Sequence, residues 1–376
     1  MARVAKILVG AILMAVLWSG AARAEIVIAV VGPISGPLAA FGEQMQRGAE
    51  MAVKNINRTG GILGQKVVLQ VGDDTCDTED AVEVAKQMLN SGAVFVVGNL
   101  CSSASIAASK IYHQGGILQI SPASTNPELT EQGLDNVFRV CGRDDKQGLT
   151  AASYVVDGKL GKKVAVIHDQ TTYGQGLADE FKKHLNKKGI SEVLYEAVAR
   201  GDKEFSSLAK KMRSSGVDLM YFGGLHVEAG LIARQMRKLG LEAKVMAGDA
   251  LATREYWDVA GEDGEGTLFT FPADPRKFTE ATDALRAFKE SGYEPEGYTL
   301  ITYAAVQVFA QAAKRAGSVK IDALVEAIKG VGFTTLKSHT FKTVMGEISF
   351  DKKGDPMGNT YRLYRFSQGD YKMIGN

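Results

Sequence analysis

The sequence predicts an α/β protein built from parallel sheets that are covered by helices on both faces. Apolar, strand-like runs alternate with segments of helical period along most of the chain, which is the pattern of such sheets. The first run, residues 26–31, is apolar at every position, as expected for a strand buried on both faces. The 376 residues are enough for two domains.

Each predicted element of the front half follows from a local pattern. Apolar residues recur at helical spacing over 41–56, and the pair Gly60-Gly61 ends that helix. Thr78 is predicted to cap a helix that runs to about Leu89. Between and after these helices the predicted strands are 65–71, 93–97 and 117–120.

The second half continues the alternation and ends differently. Later strands are predicted at 164–167, 219–222 and 245–247, with helices near 174–188, 204–215, 228–239, 281–291, 299–316 and 321–329. A glycine-rich, strand-like tail at 346–350 and 361–366 follows.

Residues 1–24 are predicted to be a secretory signal peptide. Arg3 and Lys6 precede an apolar run from 7 to 18, and Ala22-Arg23-Ala24 fits the small-x-small cleavage pattern, with cleavage after Ala24. A membrane anchor is the alternative. The run is shorter than the roughly 18–20 residues that a span needs, and Arg23 closes it, which favours an exported protein.

Charge and motif content argue against several functional classes. Three of the 44 basic residues and none of the 43 acidic ones lie in 1–24, so the rest of the chain is slightly negative and is not expected to bind nucleic acid. The five histidines are scattered without zinc-ligand spacing, and no G-x-S-x-G motif occurs. We therefore expect no metal, no cofactor and no catalysis.

Small polar loops follow several strands and predict a binding site. Residues 98–126 contain two such loops, rich in Ser, Ala and Thr and lacking His, Lys or acid side chains. Ligands of parallel sheets bind at the carboxyl ends of the strands, where hydroxyls, backbone N–H groups and a helix N-terminus are available. Six loops qualify, namely 32–41, 98–103, 121–126, 169–174, 223–226 and 248–251, and their distribution suggests two lobes that face each other across a cleft.

The three cysteines leave one unpaired if a disulfide forms. Cys76 and Cys101 each follow a predicted strand, and adjacent strands would bring their loops together at one edge of the sheet. We predict a Cys76–Cys101 disulfide with Cys141 free and partly buried. Three free thiols are the alternative.

The chain resembles the periplasmic leucine/isoleucine/valine-binding proteins of ABC importers along the whole of 25–376. Ten segments, in this order, carry the resemblance: VGPISGPLAAFGEQMQRGAEMAVKNIN, GGILGQKV, DDTCD, GNLCSSAS, GILQISPASTNPELT, FRVCGRDDKQG, IHDQTTYGQGLA, KEFSSL, YFGGLHVEAG and TYAAVQ. The resemblance implies a type I periplasmic binding protein fold, with two Rossmann-like lobes joined by three hinge crossings. It places 25–143 and 273–352 in lobe 1, and 144–272 and 353–376 in lobe 2.

The resemblance also implies a function and partners. A periplasmic monomer would capture an amino acid, by default a branched-chain one, through lobe closure and deliver it to a membrane permease with its ATPase subunits. A protein that senses a small amino acid or amide and signals to a separate receptor is the alternative.

The family pattern implies a role for each of seven residues. Ser102 would hold the ligand carboxylate, the carbonyl of Ala123 would accept from the ammonium, and Thr125 would contact both ends. The other four are Tyr173, which would close over the ligand, Asp249, which would pair with the ammonium, and Phe41 and Leu225, which would face the ligand side chain.

Two of these positions depart from the family pattern. Asp249 stands where a glutamate is usual, and Leu225 replaces a usual tyrosine, so the ligand could be alanine, proline or γ-aminobutyrate rather than a branched-chain amino acid. Structural interpretations also remain open. Ser102 and Asp249 could be helix caps, Thr125 a turn residue, Phe41 a core residue and Tyr173 a surface residue.

Overall fold

Two sheets organise the protein, and each is the centre of one lobe. The computed structural model describes residues 25–330, 339–358 and 361–374, so the predicted signal peptide lies outside the described residues. Within these ranges, no helix combines the length and apolar character needed to cross a bilayer.

The first lobe contains a five-stranded sheet in which every pair of neighbours is parallel. Its spatial order is β2-β1-β3-β4-β5. The strands are β1 (Ile26–Gly32), β2 (Val67–Asp73), β3 (Phe95–Gly98), β4 (Leu118–Ser121) and β5 (Val137–Arg139). Because the strands are parallel, the loops that follow them emerge at one edge, as the sequence predicts.

The second lobe contains a seven-stranded sheet of order β14-β13-β10-β9-β8-β6-β7. Its strands are β6 (Val164–His168), β7 (Leu194–Ala197), β8 (Leu219–Gly223), β9 (Lys244–Ala247), β10 (Leu268–Pro272), β13 (Tyr361–Ser367) and β14 (Asp370–Met373). The tail strands β13 and β14 add in antiparallel orientation, while the others are parallel. A hairpin of β11 (Phe341–Thr343) and β12 (Gly346–Ile348) stands apart.

Twelve α-helices of the described residues connect or cover these strands. They are α1 (Ala39–Arg58), α2 (Thr78–Asn90), α3 (Ser102–Gln114), α4 (Glu128–Glu131), α5 (Asp144–Asp157), α6 (Thr172–Lys187), α7 (Ser206–Ser214), α8 (His226–Lys238), α9 (Glu255–Ala260), α10 (Thr282–Glu290), α11 (Thr299–Ala316) and α12 (Ile321–Lys329).

The chain crosses between the lobes three times. It leaves the first sheet after β5, returns after β10 and crosses again to reach β13. The return is visible in α11, where Phe309 stacks on Phe95 of β3 with ring centroids 4.5 Å apart. Helices α1 and α11 touch so closely that a Cβ at Gly48 would lie 2.2 Å from the carbonyl oxygen of Thr299.

The Cys76–Cys101 disulfide is present, with the two Cα atoms 5.4 Å apart. It joins the loops after β2 and β3, which flank β1 in the sheet. A disulfide that closes a loop of this size stabilises the folded protein against unfolding by roughly 3 kcal/mol. Cys141 is free and fully buried rather than partly buried.

Several local predictions are wrong in detail. The cap of α2 is Asp77, whose side chain accepts from the backbone N–H groups of Glu79 and Asp80, and Thr78 is the first helical residue. The strand predicted at 346–350 is shorter and forms a hairpin, and the short strands β5, β7 and β10 and helix α5 were not predicted. Short strands and small-residue helices such as α5 carry weak periodicity, which tertiary packing overrides.

Candidate functional site

A cleft between the lobes leaves about 510 Å³ of space that protein atoms do not fill. Each of the six loops predicted to form the site contributes at least one residue. The lining residues are Phe41, Leu100, Cys101, Ser102, Ser103, Ala123, Thr171, Tyr173, Arg200, Leu225, Asp249, Ala250 and Tyr298. Six of the seven predicted site residues are therefore brought together, and Thr125 lies behind the wall.

The first lobe presents a helix N-terminus to the cleft. Ser102 is the first residue of α3, and Cys101 occupies the cap position without a capping side-chain bond. The interpretation of Ser102 as the N-cap is therefore wrong. Its hydroxyl accepts a hydrogen bond from the backbone N–H of Asn126, at 3.3 Å. The unsatisfied N–H groups of the first helical turn, together with this hydroxyl, favour an anion at this end of the cleft.

The loop after β4 is held rigidly in place. The hydroxyl of Ser121 accepts from the backbone N–H groups of Ala123 and Ser124. From behind, the guanidinium of Arg139 donates to the carbonyl oxygens of Ser124 and Asn126, at 2.7 and 2.9 Å. Arg139 is itself buried and paired with Asp355, Nε to Oδ1 2.7 Å. These contacts preorganise the backbone polar groups that border the cleft.

The second lobe presents a buried carboxylate. Asp249 follows β9 and accepts hydrogen bonds from the hydroxyls of Tyr173, at 2.9 Å, and Tyr298, at 2.7 Å. Burial raises the pKa of Asp249, and the two tyrosine hydrogen bonds act in the opposite direction. Asp249 does not cap the next helix, because Thr253 accepts from the backbone N–H of Glu255 there.

Tyr173 is positioned by glycines at the start of α6. A Cβ at Gly174 would lie 2.5 Å from the carbonyl oxygen of Gly223, so only glycine lets this helix start approach the end of β8. The hydroxyl of Tyr173 reaches Asp249, which excludes the interpretation of a surface tyrosine.

The remaining wall of the cleft is mostly apolar. The ring of Phe41 packs edge-on against His226 and Tyr298, with centroids 5.2 and 5.7 Å apart. Leu100 and Leu225 line the same space. Phe41 is 1% exposed, so the core and cleft interpretations of this residue both hold.

Thr125 occupies a buried position next to the cleft, with 1% of its surface exposed. Its carbonyl oxygen accepts from the backbone N–H of Asp144, while its hydroxyl has no hydrogen-bond partner. It is not an ordinary turn residue, because turn residues are normally solvated.

Sequence reasoning missed Tyr298 and Arg200. Tyr298 precedes α11, and no strand ends near it, so the rule that ligands bind after strands could not find it. Arg200 follows β7, a strand that was not predicted, and contributes an exposed guanidinium at the edge of the cleft.

The described residues contain no cluster of His, Cys, Asp and Glu that could hold a metal ion.

A family model described as periplasmic binding protein matches residues 25–370. The chain belongs to this family. Its resemblance to that family is thus confirmed, and the proteins of this family bind ligands and are not enzymes.

Similar proteins agree with this assignment. A Leu/Ile/Val-binding protein homolog of Brucella suis is 46% identical over 361 residues, which cover 96% of this chain and 95% of that protein. The crystal structure of a leucine-binding protein of Thermotoga maritima superposes with a TM-score of 0.84 at 28% identity, covering 93% of this chain and 98% of that one. That of a branched-chain amino acid transporter substrate-binding protein of Streptococcus pneumoniae with isoleucine gives 0.83 at 27%, covering 94% and 100%. The predicted type I periplasmic binding protein fold is confirmed.

Proposed function

We propose that this protein is the substrate-binding component of an ABC importer and captures a branched-chain amino acid between its lobes. One observation carries the proposal. The cleft is lined by a helix N-terminus from the first lobe, a buried carboxylate from the second lobe and several apolar side chains. An α-amino acid with an aliphatic side chain carries the anion, the cation and the apolar group that such a lining can bind.

The carboxylate of the ligand would bind at the start of α3. Ser102 supplies a hydroxyl there, and the first N–H groups of the helix point outward without intrahelical partners. Charge-assisted hydrogen bonds of this kind are about twice as strong as neutral ones.

The ammonium would bind between the lobes. The carboxylate of Asp249 comes from the second lobe, while the carbonyl oxygen of Ala123 and the hydroxyl of Thr125 come from the first. Tyr173, from the same lobe, donates to Asp249 and positions one of its oxygens, while Tyr298 donates to the other oxygen across the cleft from the first lobe.

The side chain of the ligand would face Phe41, Leu100 and Leu225. These apolar walls favour an aliphatic side chain. The names of the similar proteins support the same class, since they specify leucine, isoleucine and valine.

Lobe closure would complete the site and exclude water. In this mechanism lobe 1 comprises 25–143 and 273–352, lobe 2 comprises 144–272 and 353–376, and the three crossings act as the hinge. The closed monomer would dock on a membrane permease with its ATPase subunits. The signal peptide of residues 1–24 would direct export to the periplasm and would be removed by cleavage after Ala24.

A thermal-shift screen tests this proposal. The exported protein is refolded to remove bound ligand and is mixed with each of the twenty amino acids and with γ-aminobutyrate. A ligand at 100 times its Kd stabilises a protein by about 2.7 kcal/mol, so leucine, isoleucine or valine should raise Tm by several degrees. A screen in which no amino acid raises Tm would contradict the proposal, and a response limited to γ-aminobutyrate would change the ligand.

A further inference from the structure

Unpartnered buried polar atoms cluster behind the wall of the cleft. Asp144, the first residue of α5, is 0% exposed, and neither of its carboxylate oxygens makes a hydrogen bond. The same holds for the side-chain oxygens of Thr125, Gln147, Tyr221 and Tyr361. Buried polar groups normally have hydrogen-bond partners, and burying a carboxylate without one costs folding free energy. A bound ligand that supplies such a partner would offset this cost.

Asp144 is linked to the proposed ammonium site from two sides. The backbone N–H of Asp144 donates to the carbonyl oxygen of Thr125, at 2.9 Å. The hydroxyl of Thr125 is close enough to the carboxylate of Asp144 to favour its ionised form, although the two groups do not form a hydrogen bond of normal geometry. Asp249 is close enough for its charge to raise the pKa of Asp144, although burial is the larger cause.

Among the described residues, the cations near Asp144 have other carboxylate partners, and Arg200, which lines the cleft together with Asp249, is exposed to solvent. Arg139 is close to Asp144 but forms a 2.7 Å ion pair with Asp355, and Arg143 binds the other oxygen of that carboxylate, also at 2.7 Å.

The other titratable neighbours do not supply a positive charge either. Asp145 adds a further negative charge. Burial is the main cause that raises the pKa of each remaining group, which keeps them neutral: Tyr173, Tyr221, Tyr298, Tyr361 and Cys141.

We propose that Asp144 is a positioning residue of the ammonium site, which orients the hydroxyl of Thr125 and gives up a proton when the ammonium arrives. This inference rests on the proposed function, because it requires a ligand with an ammonium group. The ligand then supplies the cation that the buried pair lacks, and the hydroxyl of Thr125 donates to Asp144 while its lone pairs accept from the ammonium.

The sign of the pH dependence follows from the charges. In the empty cleft, burial raises the pKa of both carboxyls, so the pair retains a proton at pH values where a solvated aspartate has lost it. A bound ammonium favours the ionised pair and lowers these pKa values, which releases the proton. Affinity therefore falls as the pH decreases through the pKa values of the empty cleft, because protons compete with the ammonium.

Calorimetric titration with L-leucine between pH 5 and 8, in buffers of different ionisation enthalpy, counts the protons released. The wild-type protein should release a measurable fraction of one proton per leucine at the acidic end. Asp144→Asn should release less, bind leucine about tenfold more weakly at pH 8 and approach the wild type toward pH 5. Asp145→Asn is the matched control, since its carboxylate binds Arg143 and adds only a minor charge effect on Asp144, and it should keep the wild-type affinity at pH 8 with a smaller change in proton release than Asp144→Asn.

Leucine binding by the wild type without linked proton release at any of these pH values would overturn the inference and leave the proposed function intact. That measurement decides even if Asp144→Asn does not fold. A folded Asp144→Asn protein with the wild-type proton count and pH profile would overturn it as well. If leucine does not bind at all, the proposed function fails together with this inference.

Discussion

At the residue scale, burial makes the charge of Asp249 unfavourable in the empty protein, although hydrogen bonds from two tyrosine hydroxyls partly offset this cost. A bound cation would stabilise that charge. We expect Asp249→Asn to weaken binding of the amino acid by roughly 2–5 kcal/mol, because the ammonium loses its charged partner in a dry cleft. Calorimetry measures this loss, and Tyr298→Phe, which removes one hydrogen bond to Asp249, should lose less. Unchanged affinity in Asp249→Asn would leave the ammonium partner unassigned.

The same substitution has an opposite effect on the stability of the unliganded protein. Burial raises the pKa of Asp249 above its ordinary value of 3.8, so its ionisation at higher pH costs folding free energy. We expect unliganded Asp249→Asn to melt at a higher temperature than the wild type at pH 7. This advantage should shrink as the pH falls toward 3.8, which thermal unfolding at several pH values would follow.

Ser102 is the side chain best placed for an anionic group. We expect Ser102→Ala to weaken amino-acid binding by about 1.5–3 kcal/mol, the range for a hydrogen bond to a charged group, with little change in melting temperature. Ser109→Ala is a control on the same helix, because the hydroxyl of Ser109 donates to the carbonyl oxygen of Ile106, away from the cleft. If Ser102→Ala and Ser109→Ala bind the amino acid with equal affinity, Ser102 does not hold the ligand carboxylate.

At the scale of elements, one hydrogen bond ties the loop after β4 to the start of α6. The side-chain amide of Asn126 donates to the carbonyl oxygen of Thr172, at 2.7 Å, and its oxygen accepts from the backbone N–H of Glu128. Thr172 follows β6 of the second sheet, so we expect this bond to break when the lobes separate.

Asn126→Ser keeps a local acceptor for Glu128 but cannot reach Thr172. We expect it to accelerate release of the ligand by about five- to tenfold, the effect of one lost hydrogen bond of about 1 kcal/mol, without changing the stability of the unliganded protein. Stopped-flow dissociation would measure the rate. Gln132→Ala, which removes an amide that contacts only the first lobe, should release the ligand at the wild-type rate.

At the scale of the whole molecule, export and disulfide formation determine the N-terminus and the number of free thiols of the protein. We expect the exported protein to begin at Glu25, to contain one disulfide and to show no reactive thiol while folded. Burial raises the pKa of the Cys141 thiol and shields it, so it should react only after denaturation. Intact mass and thiol titration with and without denaturant would check this. A retained N-terminus or three reactive thiols would contradict it.

The sequence by itself determined the fold class, the positions of most strands along the chain and the loops that form the cleft. These features depend on local signals, since apolar runs, helical spacing and small polar loops are properties of adjacent residues. The pairing of Cys76 with Cys101 was predicted on the premise that the two preceding strands are adjacent. The disulfide is present although β1 lies between those strands, because parallel strands place their following loops at one edge.

Only the tertiary structure decided which distant side chains meet at the cleft. Tyr298 reaches Asp249 from the start of α11, Arg200 follows an unpredicted strand, and Asp144 is buried behind Thr125 with no charged partner of its own. None of these residues has a local signature, because burial, hydrogen bonding and charge pairing depend on where the chain returns after its crossings between the lobes. The physical reason is that periodicity reports which face of an element is buried, whereas a binding site is made by the contacts between elements.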